Sequence, residues 1–142
     1  MQHLSRLVFA LSLTSTLFAC ETTGKTESSA ESQNVTSVPN LVLTDQPGGD
    51  SVIITAFTLD QPGYVVVHKD NDGKPGPVIG VSELIQPGVY RNYRVDIDAN
   101  EAGAAVFPML HYDNGDGKYE FPGPDGPVTV ASKVLVGKVT WQ

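Results

Sequence analysis

The stretch DSVIITAFTLDQPGYVVVH, residues 50–68, decides the fold class. Its two runs, residues 50–59 and 64–68, consist mainly of β-branched and aromatic residues, which favour strands. Residues 60–63 between them read Asp-Gln-Pro-Gly, with proline and glycine where a type II turn prefers them. We therefore predict two strands joined as a hairpin.

The rest of the chain repeats this combination of short β runs and Pro/Gly-rich turns. Residues 89–98 alternate, so that one face is predicted to be buried; that face carries Val89, Arg91, Tyr93, Val95 and Ile97. Residues 104–112 alternate as well, with Met109 and His111 on one side, and residues 128–130 and 134–139 close the domain. The 142 residues hold one domain, which we place at residues 38–142. We predict an all-β fold of about seven strands, a single antiparallel Greek-key β-sandwich of immunoglobulin-like or cupredoxin-like type.

The first nineteen residues have the shape of an export signal. Arg6 is their only formal charge, and an apolar stretch follows it up to Leu17. The stretch is too short for a spanning helix, which needs about 20 mainly apolar residues. We predict that residues 1–19 are a signal peptide that is removed on export.

Leu17-Phe18-Ala19-Cys20 resembles the lipobox of bacterial lipoproteins, in which a small residue precedes the cysteine that is lipid-modified. Phe18 departs from the residue type usual at its position. Cys20 is the only cysteine of the sequence, and lipidation would remove a free thiol that is a liability in an oxidising compartment. The alternative is an ordinary secretory peptide with a stray cysteine. Residues 20–37, rich in Ser, Thr and Glu, are predicted to form a flexible tether behind the lipid.

The charge balance excludes one class of partner. Without residues 1–19 the chain keeps eight basic residues against sixteen acidic ones. Nucleic-acid binding needs a basic surface that displaces counterions from phosphates, and no Lys/Arg cluster is present in the sequence. We therefore expect no nucleic-acid partner, and the membrane as a partner only through the lipid on Cys20.

Four sequence motifs, in this order, resemble those of a known family: GYVVVHKD (63–70), VIGVSEL (78–84), Pro-Gly (87–88) followed by residues 93–98, and FPMLHYD (107–113). They are similar to extracytoplasmic domains of unknown function that are frequent in haloarchaeal surface proteins and present in bacterial lipoproteins. The resemblance covers about residues 40–140. It implies a secreted β-sandwich and brings no established activity, substrate or cofactor.

The resemblance also implies a histidine at the end of the Val-rich strand and another before an acidic residue on a later strand. Here these positions are His68, His111 and Asp113. Imidazole and carboxylate together suit zinc or copper, and Met109 could add a soft ligand because it shares the face of His111. The competing interpretation is that both histidines are structural residues with hydrogen-bond partners in the protein. A cupredoxin copper site would need a thiolate, and the only cysteine is at the predicted anchor.

A second candidate site is the long loop HYDNGDGKYEFPGPDGP, residues 111–127. Four of its carboxylates could gather around calcium, which prefers several oxygen ligands: Asp113, Asp116, Glu120 and Asp125. The EF-hand spacing fails, however, because glycines occupy ligand positions. Plain solvated turns are the alternative for this loop and for Asp-Asn-Asp-Gly at residues 70–73.

From these observations we predict a lipid-anchored extracytoplasmic domain, on the outer membrane if the cell has one. We expect a non-enzymatic module that binds an unidentified protein or small ligand or supports the envelope, since no catalytic constellation stands out. The alternative is an envelope protein that binds copper, zinc or calcium. A hydrolase acting through the acidic loop is a third, weaker hypothesis.

Overall fold

The computed structural model describes residues 38–142 of the chain. The predicted signal peptide, Cys20 and the predicted tether lie outside the described residues. Within residues 38–142 no helix is long and apolar enough to cross a membrane. The same range contains nine strands: β1 (Asn40–Val42), β2 (Ser51–Leu59), β3 (Gly63–Asn71), β4 (Lys74–Val81), β5 (Gly88–Asp96), β6 (Ala105–Tyr112), β7 (Thr129–Val130), β8 (Lys133–Val134) and β9 (Val139–Thr140).

Seven of these strands form two antiparallel sheets, which confirms the predicted all-β class. One sheet has the order β1-β2-β5 and the other the order β4-β3-β6-β9. The second and fifth strands thus share one sheet, and the third, sixth and last share the other, as in immunoglobulin-like sandwiches. The short ribbon β7-β8 interrupts the chain between β6 and β9.

The core lies between the two sheets and is almost entirely aliphatic. Phe57 is its largest buried side chain; its ring stacks on Tyr90 at 5.0 Å and meets the edge of Tyr93 at 5.5 Å. Around this aromatic trio pack residues from both sheets, all at most 9 % exposed: Val52, Ile54, Leu59, Val65, Val67, Ile85, Val95, Ile97, Ala102, Val106, Leu110, Val128 and Val139.

The predicted hairpin at residues 60–63 is wrong, because β2 and β3 belong to different sheets. The turn instead carries the chain across the sandwich. Gly63 then lies against the backbone of β6, so closely that a Cβ atom there would overlap the carbonyl oxygen of His111. The hairpin of this region joins β3 to β4 through Asp72 and Gly73, whose φ angles of 52° and 80° fit a two-residue turn of the Asp-Gly type.

The predicted alternation of residues 89–98 holds only for the second half of β5. Tyr93 and Val95 face the core as expected, but Val89 is 53 % exposed and Tyr90 takes the inward position beside Phe57. The change of face occurs at Asn92, whose φ of 50° lies in the left-handed region. Asparagine tolerates this conformation better than most residues, and the left-handed residue breaks the two-residue period of the strand.

We predict that Gly63→Ala destabilises the domain, since the new methyl group cannot fit without moving β3 away from β6. Overpacking of this kind costs about 1–3 kcal/mol of the free energy of unfolding. Gly49→Ala is the matched control, because a Cβ atom there meets nothing within 4 Å. Urea denaturation of both variants measures the effect, and equal midpoints would contradict the close approach at Gly63.

Candidate functional site

Part of the outer face of the β4-β3-β6-β9 sheet, over β3 and β6, is covered by a loop. Six side chains of β3 and β6 form what we call the covered face, each at most 7 % exposed: Tyr64, Val66, His68, Phe107, Met109 and His111. Residues 113–127, which we call the covering loop, lie over part of this face: Tyr119 packs against Tyr64 and His111, and Phe121 packs against His68 and His111. Because both faces of β6 are buried, the strand is apolar on both sides and carries only one polar side chain that is fully buried, His111.

The covering loop is fastened by the carboxylate of Asp125, which is fully buried. One of its oxygens accepts a hydrogen bond from the backbone N–H of Asn114 at 2.9 Å, and the other accepts one from the N–H of Glu120 at 2.7 Å. Charge-assisted bonds of this kind are about twice as strong as neutral ones. The side chain of Asp125 therefore ties the start and the middle of the loop to its end.

Three of the four carboxylates predicted to hold calcium, those of Asp113, Asp116 and Asp125, accept hydrogen bonds from different backbone N–H groups of the loop, whereas the Glu120 carboxylate lies 3.5 Å from the side-chain amide of Asn114. Asp113 accepts hydrogen bonds from the N–H groups of Gly115 and Gly117, at 3.0 and 3.1 Å, and Asp116 accepts one from Lys118 at 2.9 Å. In residues 38–142 no group of three or more His, Cys, Asp or Glu side chains is placed to hold a metal ion. The structure therefore does not bring Asp113, Asp116, Glu120 and Asp125 together around one point.

Both histidines of the covered face are oriented by backbone carbonyls. Nδ1 of His68 lies 2.7 Å from the carbonyl oxygen of Gly76, and Nδ1 of His111 lies 2.9 Å from that of Asp125. A carbonyl only accepts hydrogen bonds, so Nδ1 carries the proton in both rings. In the neutral imidazole Nε2 is then left with a free lone pair. A backbone carbonyl on the far nitrogen is also the usual outer partner of a metal-binding histidine.

The two Nε2 atoms are buried and have no hydrogen-bond partner among the described residues. The rings are neighbours, with centroids 5.9 Å apart and planes inclined by 25°. Burial lowers the pKa of His111, and the nearby His68 lowers it further, against the opposing effect of the hydrogen bond to Asp125. His111 is therefore neutral near pH 7, with its lone pair available.

Aromatic side chains enclose the histidine pair. Phe121 of the covering loop meets both rings edge to face, at 4.9 Å from His111 and 5.9 Å from His68, and remains 42 % exposed on its outer side. Tyr119 packs against His111 at 5.8 Å, and its buried hydroxyl has no partner among residues 38–142. The hydroxyl of Tyr64 donates to Asp113 at 3.3 Å; burial and the carboxylate together raise the pKa of Tyr64 to about 12.

A bulge between β3 and β4 accompanies this arrangement. The pairing of the two strands shifts on both sides of His68, between Val67 and His68 and again before Asp70. Bulges are common next to functional sites, where they re-aim a side chain. The irregular stretch of β4 supplies the Gly76 carbonyl to which His68 is bound.

Of the residues predicted to bind zinc or copper, the structure brings His68 and His111 together and leaves Asp113 to the covering loop. Met109 lies between the two histidines along the direction of the strands. Met109 pairs with Val66, and the flanking pairs on the same face are Tyr64–His111 on one side and His68–Phe107 on the other. Sequence reasoning missed the Asp125 carbonyl and the cover. Two aromatic residues spaced by one, Tyr119 and Phe121, in an otherwise polar loop were the available signal.

We predict that Asp125→Asn loosens the covering loop. An amide offers one acceptor oxygen, so one of the two backbone N–H donors loses its partner, at a cost of about 1–3 kcal/mol in the free energy of unfolding. The exposed Asp116→Asn is the control, because its single bond to Lys118 can be kept by the amide oxygen; it should change stability by less than about 0.5 kcal/mol. Equal urea midpoints for the two variants would show that Asp125 does not fasten the loop.

Comparison with known proteins identifies a family for the domain and a similarity to part of two cell surface glycoproteins. Residues 39–141 match the family model described as a domain of unknown function, DUF7282. Cell surface glycoprotein 2 of Haloarcula hispanica is 34 % identical over 91 residues, which are 61 % of this chain. Cell surface glycoprotein 1 of the same organism is 32 % identical over 91 residues, 62 % of this chain. The matched part spans about a tenth of the length of these curated relatives. No solved structure matches the chain.

Proposed function

The chain belongs to the DUF7282 family, and from this premise we propose that it is a non-enzymatic module held at the outside of the cell by lipid on Cys20. The relation to cell surface glycoproteins supports an envelope location. The observation that carries the proposal is the position of the family match at residues 39–141, directly behind a predicted export signal, a cysteine and a polar spacer. The acyl chains would supply about 0.8 kcal/mol of membrane affinity for each buried methylene.

The hydrogen bonds made by the acidic side chains of the covering loop support a non-enzymatic role. General acid–base chemistry needs a carboxyl group that is free to reach a substrate. Asp113 and Asp125 are the carboxylates of the covering loop that lie next to the covered face, and both already accept hydrogen bonds from backbone N–H groups. A hydrolase that uses them would first have to dismantle the loop.

Lipid anchoring predicts that Cys20→Ser releases the protein from membranes. Expressed in a bacterial host, the unchanged chain should fractionate with membranes, incorporate labelled fatty acid and need detergent for extraction. The Ser variant should lose all three properties, because serine cannot form the thioether. Ser28→Ala, a change in the spacer, is the control and should behave like the unchanged chain. Cys20→Ser protein that still sediments with membranes would contradict the proposal.

A second function, metal binding, is favoured by one observation: two neighbouring imidazoles leave Nε2 buried without a partner. Leaving a buried polar atom unpaired costs about 1–3 kcal/mol. Two apolar side chains would fill the same space without this cost. A ligand that both lone pairs can bind would account for the choice of histidine at both positions.

Metal binding can be tested on the full chain carrying Cys20→Ser, so that no thiol competes. Thermal unfolding is followed with copper, as copper(II) in air and as copper(I) without oxygen, and with zinc or calcium added separately. A metal at a hundred times its Kd should stabilise the fold by about 2.7 kcal/mol, because it binds only the folded state. A shift caused by copper or zinc should disappear in His111→Gln and persist in the control Asp116→Asn, whose carboxylate bonds the backbone of Lys118. If none of the three metals shifts the transition, the domain has no metal function.

A further inference from the structure

We propose that His68 and His111 bind one copper(I) ion through Nε2, with the thioether of Met109 as third ligand and Phe121 as the removable cover of the site. This inference rests on the metal-binding function proposed above and names the ion.

The spacing of the two rings suits a shared ion. Two imidazoles bound to one metal, with metal–nitrogen bonds of about 2.0 Å, have ring centroids about 5 to 6.5 Å apart, depending on the angle at the metal. The centroids of His68 and His111 are 5.9 Å apart. Both Nδ1 atoms are occupied by carbonyls, so Nε2 is the nitrogen left to each ring for a ligand.

The ligands available exclude the harder ions. Zinc sites use at least three protein ligands from His, Cys, Asp and Glu, and calcium needs six or more oxygens. No third residue of these types joins the histidine pair anywhere in the described part of the chain. Copper(I) is a soft ion that accepts two or three ligands and favours imidazole and thioether over carboxylate.

Met109 is placed to be that third ligand. It lies on the covered face, is 7 % exposed, and its pair with Val66 separates the two histidine-bearing pairs along the strands. Phe107 and Met109 alternate with the core residues Val106 and Leu110, so the thioether lies on the side of the histidines. A methionine between two histidines on one face provides a soft donor set.

The charge of the surroundings also favours a singly charged ion. Phe121 and Tyr119 pack against the histidines, Tyr64 packs against Tyr119, and both oxygens of the Asp125 carboxylate accept hydrogen bonds from the loop backbone. The proposed ligands are all neutral, so a divalent ion would keep its whole charge within its own ligand set, where desolvation is costly. Copper(I) brings half that charge.

Phe121 provides the route of entry. It covers both imidazoles edge to face and is the only aromatic residue of residues 38–142 among the strongly exposed large apolar side chains. Rotation of this one side chain outward exposes the parts of both rings that it covers, while Tyr119 stays against His111 and the sheet beneath stays paired. The apolar ring in turn excludes water from the bound ion.

The test is a copper(I) titration of the full chain carrying Cys20→Ser, without oxygen, under ascorbate and in competition with bicinchoninate. We expect one equivalent of copper(I), with affinity reduced at least about 100-fold in His68→Gln or His111→Gln and about tenfold in Met109→Leu, which conserves volume and removes the sulfur. Tyr112→Phe is the control and should bind like the parent, because its hydroxyl bonds Asp60 away from the histidines. Phe121→Ala should speed copper uptake.

X-ray absorption of the copper-loaded parent makes the result independent of how well the variants fold. Two nitrogen ligands and one sulfur ligand at copper are expected. Zinc binding that is tighter than copper(I) binding and is lost in His111→Gln would overturn the copper assignment and leave the metal function standing. A copper shell without sulfur, or unchanged affinity in Met109→Leu, would remove Met109 from the site. If no metal binds, both the metal-binding function and the copper(I) assignment are wrong.

Discussion

The antiparallel pairing of β3 with β6 is the interaction on which the rest of the structure depends. Residues 63–69 pair with residues 106–112 in unbroken register. One side of this pair supplies Val65, Val67 and Leu110 to the core between the sheets, and the other side supplies the covered face. Because successive side chains of a strand point to opposite faces, a slip by one residue would exchange the two sets and place polar imidazoles in the aliphatic core. The cost of that exchange fixes the register, and the register in turn fixes where the histidines meet.

The strands could be predicted because the signals for them are local, whereas the way they are joined could not. Runs such as residues 50–59 and 64–68 consist of residues that suit a pleated, buried surface wherever they are placed. The Pro-Gly turn at residues 60–63 predicts that the chain reverses direction. Its stereochemistry is the same whether the following strand pairs with the preceding one or crosses to the opposite sheet. Crossing is decided by burial on both faces of β3, a property of the assembled sandwich. Asn92 illustrates the same limit, because one left-handed residue changes the face of a strand whose composition still alternates.

The two histidines of the candidate site could be predicted from the sequence, whereas the loop that covers them could not. His68 follows the run of three valines at residues 65–67, and His111 lies within the mainly apolar residues 104–112, which marks both as unusual positions. Asp125, by contrast, reads as one more acidic residue of a polar loop, and its role depends on contacts with Asn114 and Glu120 that exist only when the loop is closed. A loop of Asp, Gly and Pro looks solvated because its side chains are polar. Here several of those side chains satisfy the loop's own backbone donors, and so allow Tyr119 and Phe121 to lie against the sheet.

Closure of the loop and orientation of His111 are one event, since Asp125 performs both. Its carboxylate holds the loop backbone, and its carbonyl oxygen holds Nδ1 of His111. If the loop opened, His111 would lose the partner that fixes its tautomer, and its ring would be free to rotate and to bind water. A ligand on Nε2 of His111 therefore acts on the loop as well, because it binds best to the tautomer and ring position that only the closed loop maintains. By linkage, occupation of Nε2 should stabilise the closed loop by as much as closure strengthens the binding. The two histidines and the covering loop thus form one cooperative unit on the outer face of the sandwich, separate from the core between its sheets.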